Sequence, residues 1–247
     1  MKRILRFLFT LYCVIPFTLS FFVVIPLYFI IFNFFQKERS PHLAHRVSQL
    51  WAKFLFTAFL IRYKLKNKHN IDIHQTYIFI ANHQSLLDIP AYALSCPHTF
   101  RFLSKAELVK IPLLGYVIKN LYITVNRSDK RDRHKSIEKM LVSLKEGIAV
   151  FLAPEGTRNT TSAPLLDFKD GAFRLAIAAQ LPIATLVLHD SGKLLSPQHP
   201  LEIQPGVIHG EWLPPYETIG LTEENLEALK SKIKQDMEIV LQRGPIQ

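Results

Sequence analysis

The chain has 247 residues, which is enough for one α/β domain with a full core and an additional segment. Its formal net charge of +10 and its hydrophobic content of 49% indicate a polyanionic partner and apolar surface beyond that of an ordinary core. The two cysteines, Cys13 and Cys96, form no CxxC pair, which excludes a disulfide framework and a cysteine-based metal site.

The N-terminal stretch is long and uncharged. No charged residue occurs from Phe7 to Gln36, and as one straight helix this stretch would measure about 45 Å, against roughly 30 Å for the hydrocarbon core of a bilayer. Pro16 and Pro26 disfavour a straight helix, so we expect the stretch to tilt, kink or turn back. Basic residues lie on both sides of it, which suits a re-entrant hairpin with both ends in the cytoplasm at least as well as a membrane span.

A second apolar stretch, residues 41–61, has the spacing of an amphipathic helix. This helix either lies in the membrane interface or packs on the core of the protein. We therefore predict a membrane-anchoring segment at residues 1–62 and an α/β domain at residues 63–247. The apolar positions that recur at intervals of three and four are Leu43, Val47, Leu50, Phe54, Ala58 and Ile61.

Basic residues alternate with uncharged ones directly after this stretch. In a strand, alternate residues point to the same face, so these cations would share one face. That face could contact anionic lipid headgroups, or it could be a solvated edge of a sheet. Nucleic-acid binding is less favoured, because the basic residues flank a membrane-length apolar run. The alternating cations are Arg62, Lys64, Lys66 and Lys68.

The first chemical motif follows residues 76–81, a run of aromatic and β-branched residues that predicts a buried strand. Within one helix, His83 and Asp88 would lie roughly 140° apart, so they meet only if His83 lies in the turn after the strand and Asp88 in the first turn of the next helix. A carboxylate bound to one imidazole nitrogen leaves the other free to accept a proton. The sequence therefore predicts His83 as a general base oriented by Asp88. The alternative is that both are structural, a polar residue at a strand end and a first-turn carboxylate.

The second motif, residues 154–158, follows another predicted strand. A strand, a helix and a strand in succession predict a parallel βαβ unit, in which functional residues collect beyond the carboxyl ends of the strands. Both motifs should then lie at the same edge of the sheet. The elements predicted in this part of the chain are strands at 99–103, 122–127, 148–152, 182–188 and 201–204 and a charged loop at 128–135. Helices are predicted at 136–146 and from 222 onward, and residues 168–173 should lead into a further helix that ends at 179.

Four motifs in this order resemble the glycerolipid acyltransferase family, specifically its 1-acyl-sn-glycerol-3-phosphate acyltransferases. The resemblance covers roughly residues 75 to 190. It implies an α/β fold of the glycerol-3-phosphate acyltransferase type, with a mixed, largely parallel sheet flanked by helices and an N-terminal hydrophobic helical membrane anchor. The motifs are Asn82-His83-x4-Asp88, the block from Lys105-x-Glu107-Leu108 to Arg127, Pro154-Glu155-Gly156-Thr157-Arg158 with Phe168-Lys169-x-Gly171, and the strand after Pro182.

The resemblance also implies an activity: transfer of a fatty acyl group from a thioester to a lysophosphatidate, forming phosphatidic acid in phospholipid biosynthesis. The donor would be acyl-CoA or acyl-acyl carrier protein, with no bound cofactor and no metal, and the enzyme would act on the cytoplasmic side of the cytoplasmic membrane. In this family the His-Asp pair activates the acceptor hydroxyl, which assigns His83 and Asp88 to catalysis. The residues implied for the acceptor are Lys105, Arg127 and Arg158 as phosphate ligands and Glu155, Gly156 and Thr157 as residues that shape its site.

Two alternatives remain at this point. The first keeps the chemistry and changes the acceptor to lyso-ornithine lipid or another lysophospholipid, because the sequence departs from the usual family pattern at positions that concern the headgroup. The second is a catalytically inert membrane-surface protein that binds anionic lipid through its basic flanks. The three departures are Asn120-Leu121-Tyr122 where glycine is frequent, Ala153 for phenylalanine and Thr185 for proline.

Overall fold

A seven-stranded sheet forms the centre of the computed structural model, which describes residues 2–126 and 128–246. The strands are β1 (Ile61–Lys66), β2 (Ile78–Ala81), β3 (Phe100–Lys105), β4 (Ile123–Val125), β5 (Ala149–Leu152), β6 (Ile183–His189) and β7 (Gly206–Trp212). Their order is β1-β7-β6-β2-β5-β3-β4. The strands from β6 to β4 in this order are parallel, whereas β7 runs antiparallel to β6 and parallel to β1. The predicted mixed, largely parallel sheet is confirmed.

Helices cover both faces of the sheet, which explains why β2, β5 and β6 are buried along their whole length and consist mostly of apolar residues. The helices are α1 (Lys2–Phe34), α2 (Ser40–Ala58), α3 (Asp88–Ser95), α4 (Leu114–Leu121), α5 (Lys130–Lys145), α6 (Gly171–Ala179), α7 (Ser191–Leu194) and α8 (Leu226–Arg243). Alternate residues of a strand point to opposite faces of the sheet, so Phe79 joins the cluster with α2 and α3, while Ile78 and Ile80 join the cluster with α5, α6 and α8.

The apolar N-terminal stretch is one continuous helix. Pro16 and Pro26 both lie inside α1, which at 1.5 Å per residue is about 50 Å long. The chain therefore does not turn back within the apolar stretch, and the turn comes at residues 35–39, between α1 and α2. By length and composition, α1 is the one helix in the described part of the chain that could cross a membrane.

Polar contacts tie α1 to the rest of the protein along its length. Near its start, Thr10 Oγ1 donates to the carbonyl oxygen of Leu201 at 2.9 Å and accepts from the backbone N–H of Ile203 at 3.0 Å. Near its end, Asn33 Nδ2 donates to the hydroxyl of Tyr116 in α4 at 2.6 Å. In between, α1 pairs with α2 through Trp51–Ser20 at 2.9 Å and Tyr28–Ser48 at 2.7 Å. The helix thus lies flat against the domain, with its other side exposing large apolar side chains.

Two predicted elements differ from the structure, and one predicted boundary falls within a strand. The charged loop predicted at 128–135 is wrong, because α5 already begins at Lys130, where the Asp129 carboxylate caps it by accepting from the backbone N–H of Arg131 at 2.8 Å. The strand predicted at 201–204 does not form, since its N–H groups bond to Thr10 Oγ1 and to the carbonyl of Leu194. The predicted division at residues 62 and 63 falls inside β1, and α2 shares a hydrophobic cluster with the sheet.

Candidate active site

The first motif lies at the carboxyl end of β2, the strand between β5 and β6. Asn82 extends the sheet there with its side chain, which donates to the carbonyl of Leu188 at 2.9 Å and accepts from its N–H at 2.8 Å. The Asn82 carbonyl accepts from the buried hydroxyl of Tyr92 at 2.5 Å. These three bonds fix the point at which the chain leaves the sheet, and they account for a buried asparagine with both amide groups satisfied.

His83 and Asp88 meet as predicted. His83 lies in the turn after β2, Asp88 is the first residue of α3, and Nδ1 of the imidazole is 2.8 Å from Oδ2 of the carboxylate. Asp88 is fully buried, and the same Oδ2 accepts from the backbone N–H groups of Gln84 at 2.6 Å and Ser85 at 2.8 Å. Within residues 2–126 and 128–246, Oδ1 of Asp88 has no partner. The His83 side chain is 18% exposed, so the imidazole reaches the surface with Nε2 available.

The second motif binds the backbone of His83. Glu155 Oε1 accepts from the N–H of His83 at 2.9 Å, and its Oε2 accepts from the N–H of Leu166 at 2.9 Å. The N–H of Asn159 donates to the carbonyl of His83 at 2.7 Å. Both backbone groups of His83 are therefore held by the loop after β5, the neighbouring parallel strand.

The Glu155 carboxylate is 2% exposed, and this burial raises its pKa above the ordinary carboxyl value. The two backbone donors favour the ionised form and oppose that rise in pKa. With both oxygens bonded to backbone, Glu155 faces the interior. The sequence-based prediction that it shapes the acceptor site remains untested, but its contacts are those of a residue that positions His83.

The last three residues of the second motif are more exposed than the first two. Gly156 has φ of 73°, in the left-handed region that favours glycine, and its N–H closes a turn by donating to the carbonyl of Ala153 at 3.0 Å. Thr157 is exposed and Arg158 is partly exposed. The guanidinium of Arg158 makes no ion pair with any residue in the described part of the chain, so it is available to an anion.

Lys105 is the last residue of β3, which lies beside β5 at the same edge of the sheet. Its side chain is 57% exposed, and its ammonium is 3.4 Å from the Glu107 carboxylate. Arg127, the third predicted phosphate ligand, lies outside the described residues. The structure thus brings the two motifs and Lys105 to one edge, with the cations at the surface. Among the described residues there is no group of three or more His, Cys, Asp or Glu side chains able to hold a metal.

Sequence reasoning missed three residues that support the pair. Asn159 directly follows the motif arginine but has no recognisable spacing of its own. Ser85 donates to the carbonyl of Leu195 at 2.7 Å and accepts from the N–H of Leu87 at 3.2 Å. Tyr92 packs on Phe151 with ring centroids 4.6 Å apart and holds the Asn82 carbonyl. The sequence predicted a helix that begins near Asp88, but none of these contacts.

Similarity to curated proteins points to one family. The model of the family described as Acyltransferase matches residues 62–189. The 1-acyl-sn-glycerol-3-phosphate acyltransferase alpha of Mus musculus is 30% identical over 194 residues, which are 78% of this chain and 67% of that protein. The 1-acyl-sn-glycerol-3-phosphate acyltransferase of Saccharomyces cerevisiae is 32% identical over 165 residues, 65% of this chain and 54% of that protein. The chain spans about half the length of the chloroplastic enzyme BAT2 of Brassica napus, 46%, at 29% identity.

A solved structure shares the fold over nearly the whole chain. It is the crystal structure of the 1-acyl-sn-glycerophosphate (LPA) acyltransferase PlsC from Thermotoga maritima, with a TM-score of 0.83, 23% sequence identity, and coverage of 98% of this chain and 97% of that one. At this identity the likeness concerns the fold, including the N-terminal helices. The family model covers more than half of the residues. The chain therefore belongs to the acyltransferase family.

Proposed function

We propose that this protein transfers a fatty acyl group from an acyl thioester to the free hydroxyl of 1-acyl-sn-glycerol-3-phosphate, yielding phosphatidic acid. The observation that carries the proposal is the 2.8 Å hydrogen bond between His83 Nδ1 and the buried Asp88 carboxylate. Relatives named as 1-acyl-sn-glycerol-3-phosphate acyltransferases support the choice of acceptor.

The chemistry follows from the orientation of the imidazole. Asp88 accepts a hydrogen bond from Nδ1–H, which holds the imidazole in the tautomer in which Nε2 is unprotonated. Nε2 takes the proton of the acceptor hydroxyl as its oxygen attacks the thioester carbonyl carbon. When the tetrahedral intermediate collapses, the carbon–sulfur bond breaks and the leaving thiolate takes up the proton from Nε2. A positioned general base of this kind contributes about 10²- to 10⁴-fold to the rate.

The acceptor phosphate is held by cations at the same edge. Arg158 offers a planar fork that can bind two phosphate oxygens, and Lys105 adds a point charge. The Lys105–Glu107 pair is exposed on both sides, so it is weak and can exchange for a phosphate. Arg127 is assigned to the same phosphate by the family resemblance, and Gly156 and Thr157 line the turn that presents Arg158.

We also propose that α1 lies within one leaflet of the membrane. A helix that crossed the bilayer would place about 30 Å of its length in hydrocarbon, away from the α/β domain, whereas α1 contacts the rest of the protein at Thr10, Ser20, Tyr28 and Asn33. Its outer side exposes large apolar side chains from Ile4 to Phe34. This placement brings the lipid acceptor to the domain from the membrane and leaves the acyl donor, acyl-CoA or acyl-acyl carrier protein, to arrive from the cytoplasm.

The test identifies the product directly. Membranes that contain the protein are incubated with lysophosphatidate and labelled acyl-CoA or acyl-acyl carrier protein, and the labelled lipid is identified. We expect phosphatidic acid, and none in membranes without the protein. Lyso-ornithine lipid and a lysophospholipid with a blocked phosphate are then offered in competition. Label that remains on the thioester would contradict the activity, and label that moves to a competitor would contradict the acceptor.

A further inference from the structure

A groove between α2 and α3 lies away from His83. Its volume is about 400 Å³. Leu94 lies in the last turn of α3, roughly 9 Å along the helix axis from Asp88 at its start. The groove therefore belongs to neither of the two sequence motifs. Its lining consists of Arg46, Gln49, Leu50, Lys53 and Leu94.

The charge of this groove is uncompensated. Its lining holds two cations, Arg46 and Lys53, and no acidic residue. Neither cation forms an ion pair with another residue in the described ranges, 2–126 and 128–246. On α8, by contrast, Lys230 binds Asp170 and Lys234 binds Asp167, each at 2.8 Å. The groove is thus suited to an anion that the protein does not supply.

The two borders of the exposed face of α2 are known from its contacts. On one border, Trp51 donates to Ser20 of α1 and its ring packs on Phe17 of α1 with centroids 5.9 Å apart. On the other border, Gln49 donates to the carbonyls of Ala93 at 3.1 Å and Cys96 at 3.0 Å, at the end of α3. The exposed face of α2 therefore runs from α1 to α3.

Polarity changes in one direction across this face. Around the helix axis, at 100° per residue, all four exposed residues lie on the same side of Trp51. Their angular distances from Trp51 are about 60° for Phe54, about 100° for Leu50, about 140° for Arg46 and about 160° for Lys53. Leu50 is 69% exposed and Phe54 is also exposed. The apolar pair adjoins the exposed apolar side of α1, and the cations lie beyond it, beside the groove. This sequence of polarities matches the passage from acyl chains to phosphates across a lipid leaflet.

We propose that the groove between α2 and α3 binds the phosphate of an anionic phospholipid, with Leu50 and Phe54 in the acyl region beside it. Arg46 can bind two phosphate oxygens with its planar fork, and Lys53 supplies a second charge seven positions, two helical turns, along. The inference rests on the proposed placement of α1 in one leaflet. A protein held in the interface by one helix can rotate about the axis of that helix. A lipid bound to α2, beside α1, would fix this rotation and therefore the direction in which His83 faces.

The test compares two charge-matched double variants of the full chain. Arg46→Gln/Lys53→Gln removes the cations of the groove, and Lys139→Gln/Lys145→Gln removes two exposed cations of α5, on the opposite face of the sheet. Each protein is mixed at low salt with phosphatidylcholine vesicles that contain or lack phosphatidylglycerol, and the bound fraction is measured by flotation. No thioester is present, so the result does not depend on acyl transfer.

The wild-type protein should bind the anionic vesicles more tightly than the neutral ones. Since a cation near an anionic surface contributes about fivefold in affinity, the groove variant should lose about 30-fold of this preference, and the α5 variant less than about twofold. Inorganic phosphate should displace the protein no more than chloride does at equal ionic strength. Arg46→Lys keeps the charge and loses the planar fork, so its binding preference should lie between those of the wild-type protein and Arg46→Gln.

Several outcomes would overturn the inference. Equal losses in the two double variants would indicate general charge attraction, and an undiminished preference in the groove variant would indicate no site at all. Specific displacement by inorganic phosphate would indicate a site for free phosphate in place of a lipid. If the wild-type protein bound both kinds of vesicle equally, only the groove would be wrong, whereas failure to bind either would contradict the membrane placement of α1 as well.

Discussion

The two parts of the candidate active site differ in how firmly the protein holds them. In the turn after β2, the backbone N–H and carbonyl of His83 and its Nδ1 all bond to other protein groups, and Asp88 is fully buried. The side chains proposed to bind phosphate are held less firmly, since Arg158 has no ion-pair partner among the described residues and Lys105 pairs only with the exposed Glu107.

This difference fits the two tasks. A general base is effective only when its geometry is set before the substrate arrives, because a small misplacement costs much of the rate. Ligands for a flexible lipid headgroup need charge and reach, and they become ordered when the phosphate binds. Substitutions in the turn should therefore lower kcat, whereas substitutions of the cations should raise KM.

Apart from substitution of His83 itself, Asp88→Asn is expected to lower kcat more than any other substitution in the turn. The amide can donate to Nδ1, which stabilises the tautomer with the proton on Nε2, so kcat should fall about 10³-fold. KM for lysophosphatidate should stay within about twofold, because Asp88 does not touch the acceptor. Steady-state kinetics in membranes would show this, with thermal unfolding as the check on folding. A rise in KM at unchanged kcat would place Asp88 in the acceptor site.

Arg158→Gln should show the opposite kinetics. Loss of a charge-assisted contact to phosphate weakens binding by about 1.5–3 kcal/mol, so KM for lysophosphatidate should rise about 10- to 100-fold. The kcat value should change little. Lys145→Gln removes the same charge from α5 and serves as the matched control. If KM stayed at the wild-type value, Arg158 would not be a phosphate ligand.

A smaller effect on kcat, about tenfold, is expected for Glu155→Gln. The amide has one oxygen for the N–H groups of His83 and Leu166, so one buried N–H loses its partner, at a cost of about 1–3 kcal/mol. His83 should then be less well placed, with KM nearly unchanged. A raised KM with a normal kcat would instead support the sequence-based assignment of Glu155 to the acceptor site.

The smallest expected effect is on the pH dependence of the protein's thermal stability. Burial raises the pKa of Glu155, so the folded protein holds its proton more tightly than the unfolded chain does. The stability from this difference is present below the ordinary carboxyl pKa and is lost as pH rises through the raised value. Thermal unfolding of Glu155→Gln should therefore depend less on pH across this window than unfolding of the wild-type protein. An unaltered pH dependence would show that the carboxyl is not desolvated.

The meeting of His83 and Asp88 could be predicted because it depends on local geometry: a strand, a turn and a first helical turn within one short segment. The rule for parallel βαβ units also predicted that His83 and Asp88 lie at the same edge of the sheet as residues 154–158. The backbone bonds of His83 could not be predicted. They come from Glu155 and Asn159, 72 residues and more away, and a backbone N–H leaves no trace in a sequence pattern.

Two helices show why the remaining predictions failed. The first turns of α5 are mostly charged and exposed, so they carry no apolar period, and a carboxylate cap at Asp129 is enough to start the helix at Lys130. In α1, Pro16 and Pro26 were expected to make the chain tilt, kink or turn back, and the helix continues through both prolines without turning back. Contacts with α2, with α4 and with residues 201–203 hold it along its whole length, and these tertiary contacts are invisible to local propensity.

The most direct test of the account is acyl transfer by His83→Ala, measured in membranes with lysophosphatidate as acceptor. The variant removes the proposed base and leaves the backbone bonds to Glu155 and Asn159 possible. We predict that phosphatidic acid formation falls by about 10³-fold or more, while thermal unfolding and vesicle binding match the wild-type protein. Turnover near the wild-type rate in a folded, membrane-bound variant would contradict the assignment of His83 as the general base.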